Sequence, residues 1–208
     1  MKGSLIVLAL FVVGIAIGMS GHIPETLIPP SLSEWLLYAL VLQIGLSLGA
    51  SGNLRRIFKE VRFKSLMLPI GTIAGTLTMT ALLGLCLGGW SITDYLALGS
   101  GMGYYSLSSV LIIDIKSDSI GLQAATSLGM LALLTNIIRE MLTLILGPWM
   151  ARGFGRYAPI TAAGVTSMDV TLPMIIRCTG QEMFPIALMH GMVLEVSVPI
   201  LVTIFATS

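Results

Sequence analysis

Long apolar runs separated by short polar connections dominate this chain. Runs at 4–19, 35–50, 65–87, 125–150 and 184–206 approach or exceed the ~20 apolar residues that a helix needs to cross a bilayer. Two further segments, 95–115 and 161–177, are only partly apolar and rich in Gly, Ser, Thr and Pro. The pattern predicts an all-α polytopic membrane protein with about five transmembrane helices plus two re-entrant or broken helical segments. Residues 1–208 read as one transmembrane domain.

Composition agrees. The chain is 55% hydrophobic and 10% charged, whereas soluble domains carry about 25% charged residues. Too few charges exist to cover a water-facing surface. The net charge of +1 supplies no field that would recruit nucleic acid. Cys86 and Cys178 read as packing residues rather than a disulfide. No CxxC, HExxH or zinc-ligand spacing is present, and neither His22 nor His190 has a ligand partner at helical spacing, so no metal or cofactor is expected. The start resembles a signal peptide, but the apolar runs that follow it favour a first span.

Basic residues orient the chain. Arg55, Arg56, Lys59, Arg62 and Lys64 crowd one loop, which makes that loop and the N-terminus cytoplasmic and puts the C-terminus outside. If both odd segments re-enter, Lys2, this loop, Arg152 and Arg156 are inside and only Lys116 is outside. If both cross, Lys116 moves inside and Arg152 and Arg156 move outside. The tally favours re-entry. Trp35, Trp90 and Trp149 fall at span ends, as an aromatic belt requires.

The first odd segment contains Gly99-Ser-Gly-Met-Gly103, then Tyr104, Tyr105, Ser106, Ser108 and Ser109. The second holds Thr166, Ser167, Asp169 and Thr171 between Gly164 and Pro173. Glycine weakens a helix by up to ~1 kcal/mol each, and irregular backbone at membrane depth survives only against protein or a water cavity. Two such segments in opposite orientations suggest an inverted-repeat transporter with a midplane site. Close helix packing by small residues is the plainer reading, and GxxxG pairs such as Gly71/Gly75 and Gly84/Gly88 support packing in general. Packing does not require Asp169 or paired tyrosines. The glycine run lacks a GKS/T and does not follow a strand, which excludes a nucleotide loop.

Glu140 is the sharpest single feature. It lies in LGMLALLTNIIREMLTLILGPWM, ~13 Å along a helix from Trp149, which places it near the bilayer midplane. A carboxylate there costs ~2.5 kcal/mol or more. Gly129, Leu133, Asn136, Glu140, Thr143 and Gly147 form one stripe that must face protein or a cavity. Arg139 beside it calls for a carboxylate or backbone carbonyls as partner. A buried ion pair of Arg139 with Glu140 or Asp169, locking helices together, is the alternative to a transport role. Glu195 is a second intramembrane acid, open to either role.

The strings SGMGYYSLSSVLI, NIIREML, GVTSMDVTLPMI and HGMVLEVSVPIL, in this order and spacing, resemble the LysO-type lysine exporter family. The resemblance implies export of L-lysine and lysine analogues across the bacterial inner membrane. It assigns transport importance to Glu140, with Arg139 and Asn136 in matching positions, and maps Asp169 onto the family's TSMD block. Longer family members carry about three further spans ahead of this region. The likeness therefore implies a homodimer or a complex with a small three-span membrane protein.

Lysine is a cation, and moving it outward against an inside-negative potential costs ~2.3 kcal/mol per 100 mV. Exchange for protons offsets that cost, and a carboxylate can hold an ammonium or a proton in turn. Glu140 is the candidate coupling group. Asp169 binds an ammonium or anchors Arg139, and the serines and backbone N–H groups of the broken segments suit the substrate carboxylate. A sodium-coupled carrier of another organic substrate and a membrane subunit inactive without its partner are the competing readings. No GxSG string or aspartate pair supports an intramembrane hydrolase.

Overall fold

The computed structural model describes residues 63–208 and, ahead of them, positions 13, 16, 17, 19 and 20. Most of the expected span at 4–19, all of that at 35–50, and the basic cluster from Arg55 to Arg62 lie outside the described residues. The chain divides into two compact units, Met1–Gly52 and Asn53–Ser208; the second holds every element below.

Three long helices form the frame. They are α1 (Phe63–Leu87), α4 (Leu122–Phe154) and α7 (Phe184–Ala206). At 1.5 Å per residue their 25, 33 and 23 residues exceed the ~30 Å hydrocarbon core. Leu66–Leu87, Leu122–Phe154 and Gln181–Ala206 are apolar enough to cross a membrane. They coincide with three of the runs expected from sequence. Glycine sets the ends: Gly88 and Gly89 follow α1 with φ of 63° and 87°, and Gly155 follows α4 with φ of 91°. Such backbone is the left-handed region that a Cβ disfavours.

Between these helices lie the two segments that sequence marks as irregular, and both break where expected. The first is α2 (Ile92–Gly99), a turn at 100–104, and α3 (Tyr105–Ile120). A capping box opens α2: the Asp94 N–H donates to Ser91 Oγ at 3.0 Å and the Ser91 N–H to Asp94 Oδ2 at 3.1 Å. The second is α5 (Ala158–Ala163), a 3-10 turn (Gly164–Met168), and α6 (Leu172–Thr179).

Each segment folds back on itself. Lys116 Nζ lies 2.9 Å from Asp94 Oδ1, and both side chains are under a tenth exposed. In one straight helix these residues would stand ~33 Å apart. Arg156 and Glu182 close the second segment in the same way, at 2.6 Å but on the exposed surface. The first pair has little water to compete with it, whereas an exposed pair contributes only ~0–1 kcal/mol.

The two hairpins meet α4 from opposite ends. Gly121 (φ 83°) alone joins the first to the start of α4, and Gly155 begins the connection from its end to the second. Small residues seat them. A Cβ on Gly129 would strike Ile113 of α3, and one on Gly147 would strike Met174 of α6. Their tips touch near the middle of α4. The Val165 N–H donates to Met102 O at 2.9 Å. The Gly103 N–H donates to Asn136 Oδ1 at 2.6 Å, while Asn136 Nδ2 donates to Ala132 O at 2.8 Å. Met102 is fully buried here with φ of 41°, an uncommon value for a residue with a side chain.

The core follows this arrangement. Ala97, Met102, Ile112, Leu128, Val165 and Leu194 join both tips to α4 and α7. Ile160, Ala163, Ile175 and Ala187 pack the second hairpin against the start of α7. The predicted stripe on α4 is its buried face: Gly129, Asn136, Glu140, Thr143 and Gly147 are buried, and Leu133 is partly so. Leu131, Leu134, Ile138, Leu142, Ile145 and Trp149 stand exposed on the remaining faces, as lipid contact requires. One expectation fails. Cys86 is exposed near the end of α1 rather than packed, because α1 buries only 11% of its most apolar window. Both cysteines are free.

Two substitutions test the meeting of the tips. Gly164 has φ of 68° and ψ of −131°, and a Cβ there would strike Met102 O. Gly164→Ala should cost about 1–3 kcal/mol in strain alone. The detergent-solubilised variant should unfold at lower temperature than Gly153→Ala, where a Cβ meets nothing within 4 Å. Equal melting of the two variants would contradict the close approach. Asn136→Ala leaves the buried Gly103 N–H without its acceptor, a loss of about 1–3 kcal/mol. Hydrogen exchange at Gly103 should accelerate about tenfold or more. Unchanged exchange would mean that Asn136 does not hold the tip.

Candidate functional site

The site lies where α4 passes between the tips. Glu140 is one turn beyond Asn136 on the same face and is only 3% exposed. Its Oε2 accepts no hydrogen bond among the described residues. A buried charged oxygen with no donor is costly, so a proton or a ligand cation is the natural complement.

Asp169 ends the 3-10 turn of the second hairpin, where the backbone departs from helix (φ −131°, ψ −92°). It is exposed at the opening of the break and accepts the Val170 N–H at 2.5 Å. It stands within electrostatic reach of Glu140 on α4 and of Glu195 on α7. Tyr104 lies within electrostatic reach of Glu195 and Asp169, and Tyr105 of Glu140 and Asp169. Asp169 thus lies within electrostatic reach of Glu140, Glu195 and both tyrosines, which come from three other elements. No sequence spacing joins Glu195 to the other two acids; the packing of α7 does so.

Arg139 does not neutralise them. Its Nε donates to Ala162 O at 2.8 Å and its Nη2 to Thr161 O at 2.9 Å. Of the two partners expected for it, the structure selects carbonyls. The guanidinium caps the last turn of α5, where partial negative charge accumulates. Among the described residues no ion pair links it to Glu140 or Asp169.

The hydroxyls divide into two groups. Several shape the breaks: Ser108 Oγ donates to Tyr104 O at 2.8 Å, Thr166 Oγ1 to Ala163 O at 3.1 Å and Thr171 Oγ1 to Thr166 O at 2.8 Å. Ser167 Oγ donates to Ala187 O at 3.0 Å and also touches His190. Their hydrogens are committed to the backbone. The hydroxyls of Tyr104, Tyr105, Ser106 and Ser109 make no hydrogen bond among the described residues, so they remain open to a ligand. Tyr104 caps the N-terminus of α3 without a side-chain hydrogen bond, which leaves the first N–H groups of that helix directed at the break.

Sequence reasoning passed over His190. It is fully buried, with Nε2 2.9 Å from Thr72 Oγ1 of α1 and Nδ1 3.1 Å from Ser167 Oγ. Both partners are distant in sequence, so no spacing rule could find them. No group of three or more His, Cys, Asp or Glu side chains among the described residues could hold a metal ion.

Comparison with known proteins agrees with this picture. A family profile described as "Lysine exporter LysO" matches residues 8–206. The chain is 32% identical over 203 residues to the lysine exporter LysO of Escherichia coli K12, covering 94% of this chain and 61% of that protein. It therefore spans about three-fifths of the length of that relative. It is 31% identical over 183 residues to a putative lysine exporter of Haemophilus influenzae Rd, covering 86% of each. No solved structure matches. The match across nearly the whole chain, with relatives above 30% identity, makes it a member of the LysO lysine exporter family.

Proposed function

We propose that this protein exports L-lysine, and lysine analogues, across the bacterial inner membrane in exchange for protons. The observation that carries the reading is Glu140: buried, without a donor on Oε2 among the described residues, and within electrostatic reach of Asp169, while Arg139 is engaged by carbonyls. A centre with surplus negative charge and no counter-ion among the described residues suits a cationic substrate or a proton. The names of both relatives point to the same cation.

In this reading the two hairpins re-enter the membrane from opposite sides, the first from outside and the second from the cytoplasm. The N-terminus is cytoplasmic and the C-terminus outside. Repeats of opposite orientation with tips at the midplane suit alternating access. Glu140 holds a proton or a substrate ammonium in turn. Asp169, at the opening of the second tip, receives an ammonium. The uncapped N-terminus of α3 and the hydroxyls of Tyr104, Tyr105 and Ser106 take the substrate carboxylate, where partial positive charge and free donors coincide. Proton influx offsets the ~2.3 kcal/mol per 100 mV that an outgoing cation costs.

A second reading concerns assembly. A second copy of this chain or a short membrane protein is the partner proposed for the functional unit. Export assays therefore include such a partner where its reading frame adjoins this one.

Efflux from lysine-loaded vesicles tests the site. Glu140→Gln should lower efflux driven by a pH gradient by about tenfold or more, the loss of an interaction of at least ~1.4 kcal/mol. Asp169→Asn should do the same while the protein still accumulates in the membrane. Glu140→Gln efflux equal to wild type and still following the gradient would remove Glu140 from the coupling step. Sidedness has its own check. In intact cells, a cysteine replacing Ser117 should react with an impermeant thiol reagent, and one replacing Arg156 should not. The reverse labelling would replace re-entry with two full crossings.

A further inference from the structure

The two ends of α4 carry opposite exposed charge. At its start, beside the base of the first hairpin, Asp114 and Asp118 are exposed while Lys116 is buried against Asp94. At its end, beside the base of the second hairpin, Arg152, Arg156 and Arg177 are exposed, and Glu182 is the one acid there among the described residues. The two ends lie ~50 Å apart along the helix axis. These arginines have donors to spare. Arg156 gives Nη1 to Glu182, and Arg152 gives Nε to Pro148 O at 3.3 Å. Arg177 makes no hydrogen bond or ion pair among the described residues. A guanidinium carries a fork of several N–H donors, so most of those at this end are open.

Packing brings the arginines to one level. Met174 of α6 packs on Gly147 of α4. From that contact both helices run toward the same end, because Arg156 meets Glu182 just beyond them. Arg152 lies ~7.5 Å further along α4, and Arg177 ~4.5 Å further along α6. That level is an interface. Trp149, Phe154 and Tyr157 are all more than half exposed. The Trp149 and Phe154 rings meet edge to face with centroids 5.6 Å apart. Exposed Trp and Tyr rings settle at headgroup depth. Arg152, about one turn beyond Trp149, then stands at the depth of the phosphates.

We propose that this end of the domain binds the headgroup of an anionic phospholipid, its phosphate held between Arg152 of α4 and Arg177 of α6, with Arg156 beside them. Charge and shape select this occupant. Phosphate oxygens match the fork of a guanidinium. In the orientation proposed above, this end faces the cytoplasmic leaflet, whose surface is anionic. A lipid also offers acyl chains to Trp149 and Phe154, which a soluble anion does not. The consequence falls on the second hairpin. Its base is closed by an exposed ion pair, where the first hairpin has a buried one. A phosphate shared by α4 and α6 adds a second tie across that base.

The inference needs the membrane but not the transport reading. Cysteine labelling that reversed the orientation would move the site to the other leaflet, and nanodiscs offer the same lipid on both faces. The protein is placed in nanodiscs of phosphatidylcholine alone, or of equal parts phosphatidylcholine and phosphatidylglycerol. With phosphatidylglycerol, hydrogen exchange over 158–183 should slow about fivefold or more, while exchange over 92–120 stays unchanged. Phosphatidylglycerol affinity is read by native mass spectrometry during lipid titration. It should fall about fivefold for each of Arg152→Gln and Arg177→Gln. Neither substitution touches the pair of Arg156 with Glu182, and both side chains are exposed. Glu182→Gln removes the competing acid and should raise the affinity, the opposite of what damage to the hairpin would do. Exchange that ignores phosphatidylglycerol, or slows equally in both hairpins, would overturn the proposal. So would arginine variants that bind the lipid as wild type does, or inorganic phosphate that gives the same protection in phosphatidylcholine alone.

Discussion

Inside a bilayer no water is available to satisfy a broken helix, and each unpaired backbone group there costs several kcal/mol. Two breaks in one small domain are therefore sustainable only against protein or a water cavity, and here part of that protein is the other break. The bond from the Val165 N–H to Met102 O does this directly, and Asn136 does it for Gly103. Arg139 performs the same task on the carbonyls at the end of α5. Small residues on α4 and at both tips let backbones come close enough for those bonds to form.

That arrangement leaves the acids exposed to one another. Because Asn136 and Arg139 are turned to backbone groups, Glu140 has neither a donor nor a counter-ion on Oε2 among the described residues. A pair of Arg139 with Glu140 would have given a closed structural lock, which is a common fate of buried charges. Instead the domain keeps Glu140 at low exposure within electrostatic reach of Asp169, a disposition that stabilises nothing by itself. The proposed transport of a cation gives a reason for maintaining it.

Charge is also used to close the hairpins. Asp94 with Lys116, and Arg156 with Glu182, bring together residues more than twenty positions apart. The buried first pair resists solvent competition, and the exposed second pair is screened. The hairpin that carries the carbonyl cap and Asp169 is thus tied more weakly at its ends. Its tip depends more on Ser167, His190 and Thr72 for its position.

By itself the sequence determined the membrane class, the three described long helices and the places where helices break. Apolar run length and glycine clusters are local properties, and the bilayer turns them directly into spans and interruptions. It also marked Glu140, Asn136 and Arg139 as one neighbourhood, because helical periodicity brings residues three or four apart onto adjoining turns. Tertiary structure alone decided the rest. Whether each broken segment folds back depended on ion pairs between residues far apart in the chain. The partner of Arg139 was left open between carboxylate and carbonyl until α5 was placed against it. Glu195 joined the acids, and His190 gained Thr72 and Ser167, only through the packing of α7 on the second tip. These are long-range contacts between different helices, and periodicity within one helix carries no information about them.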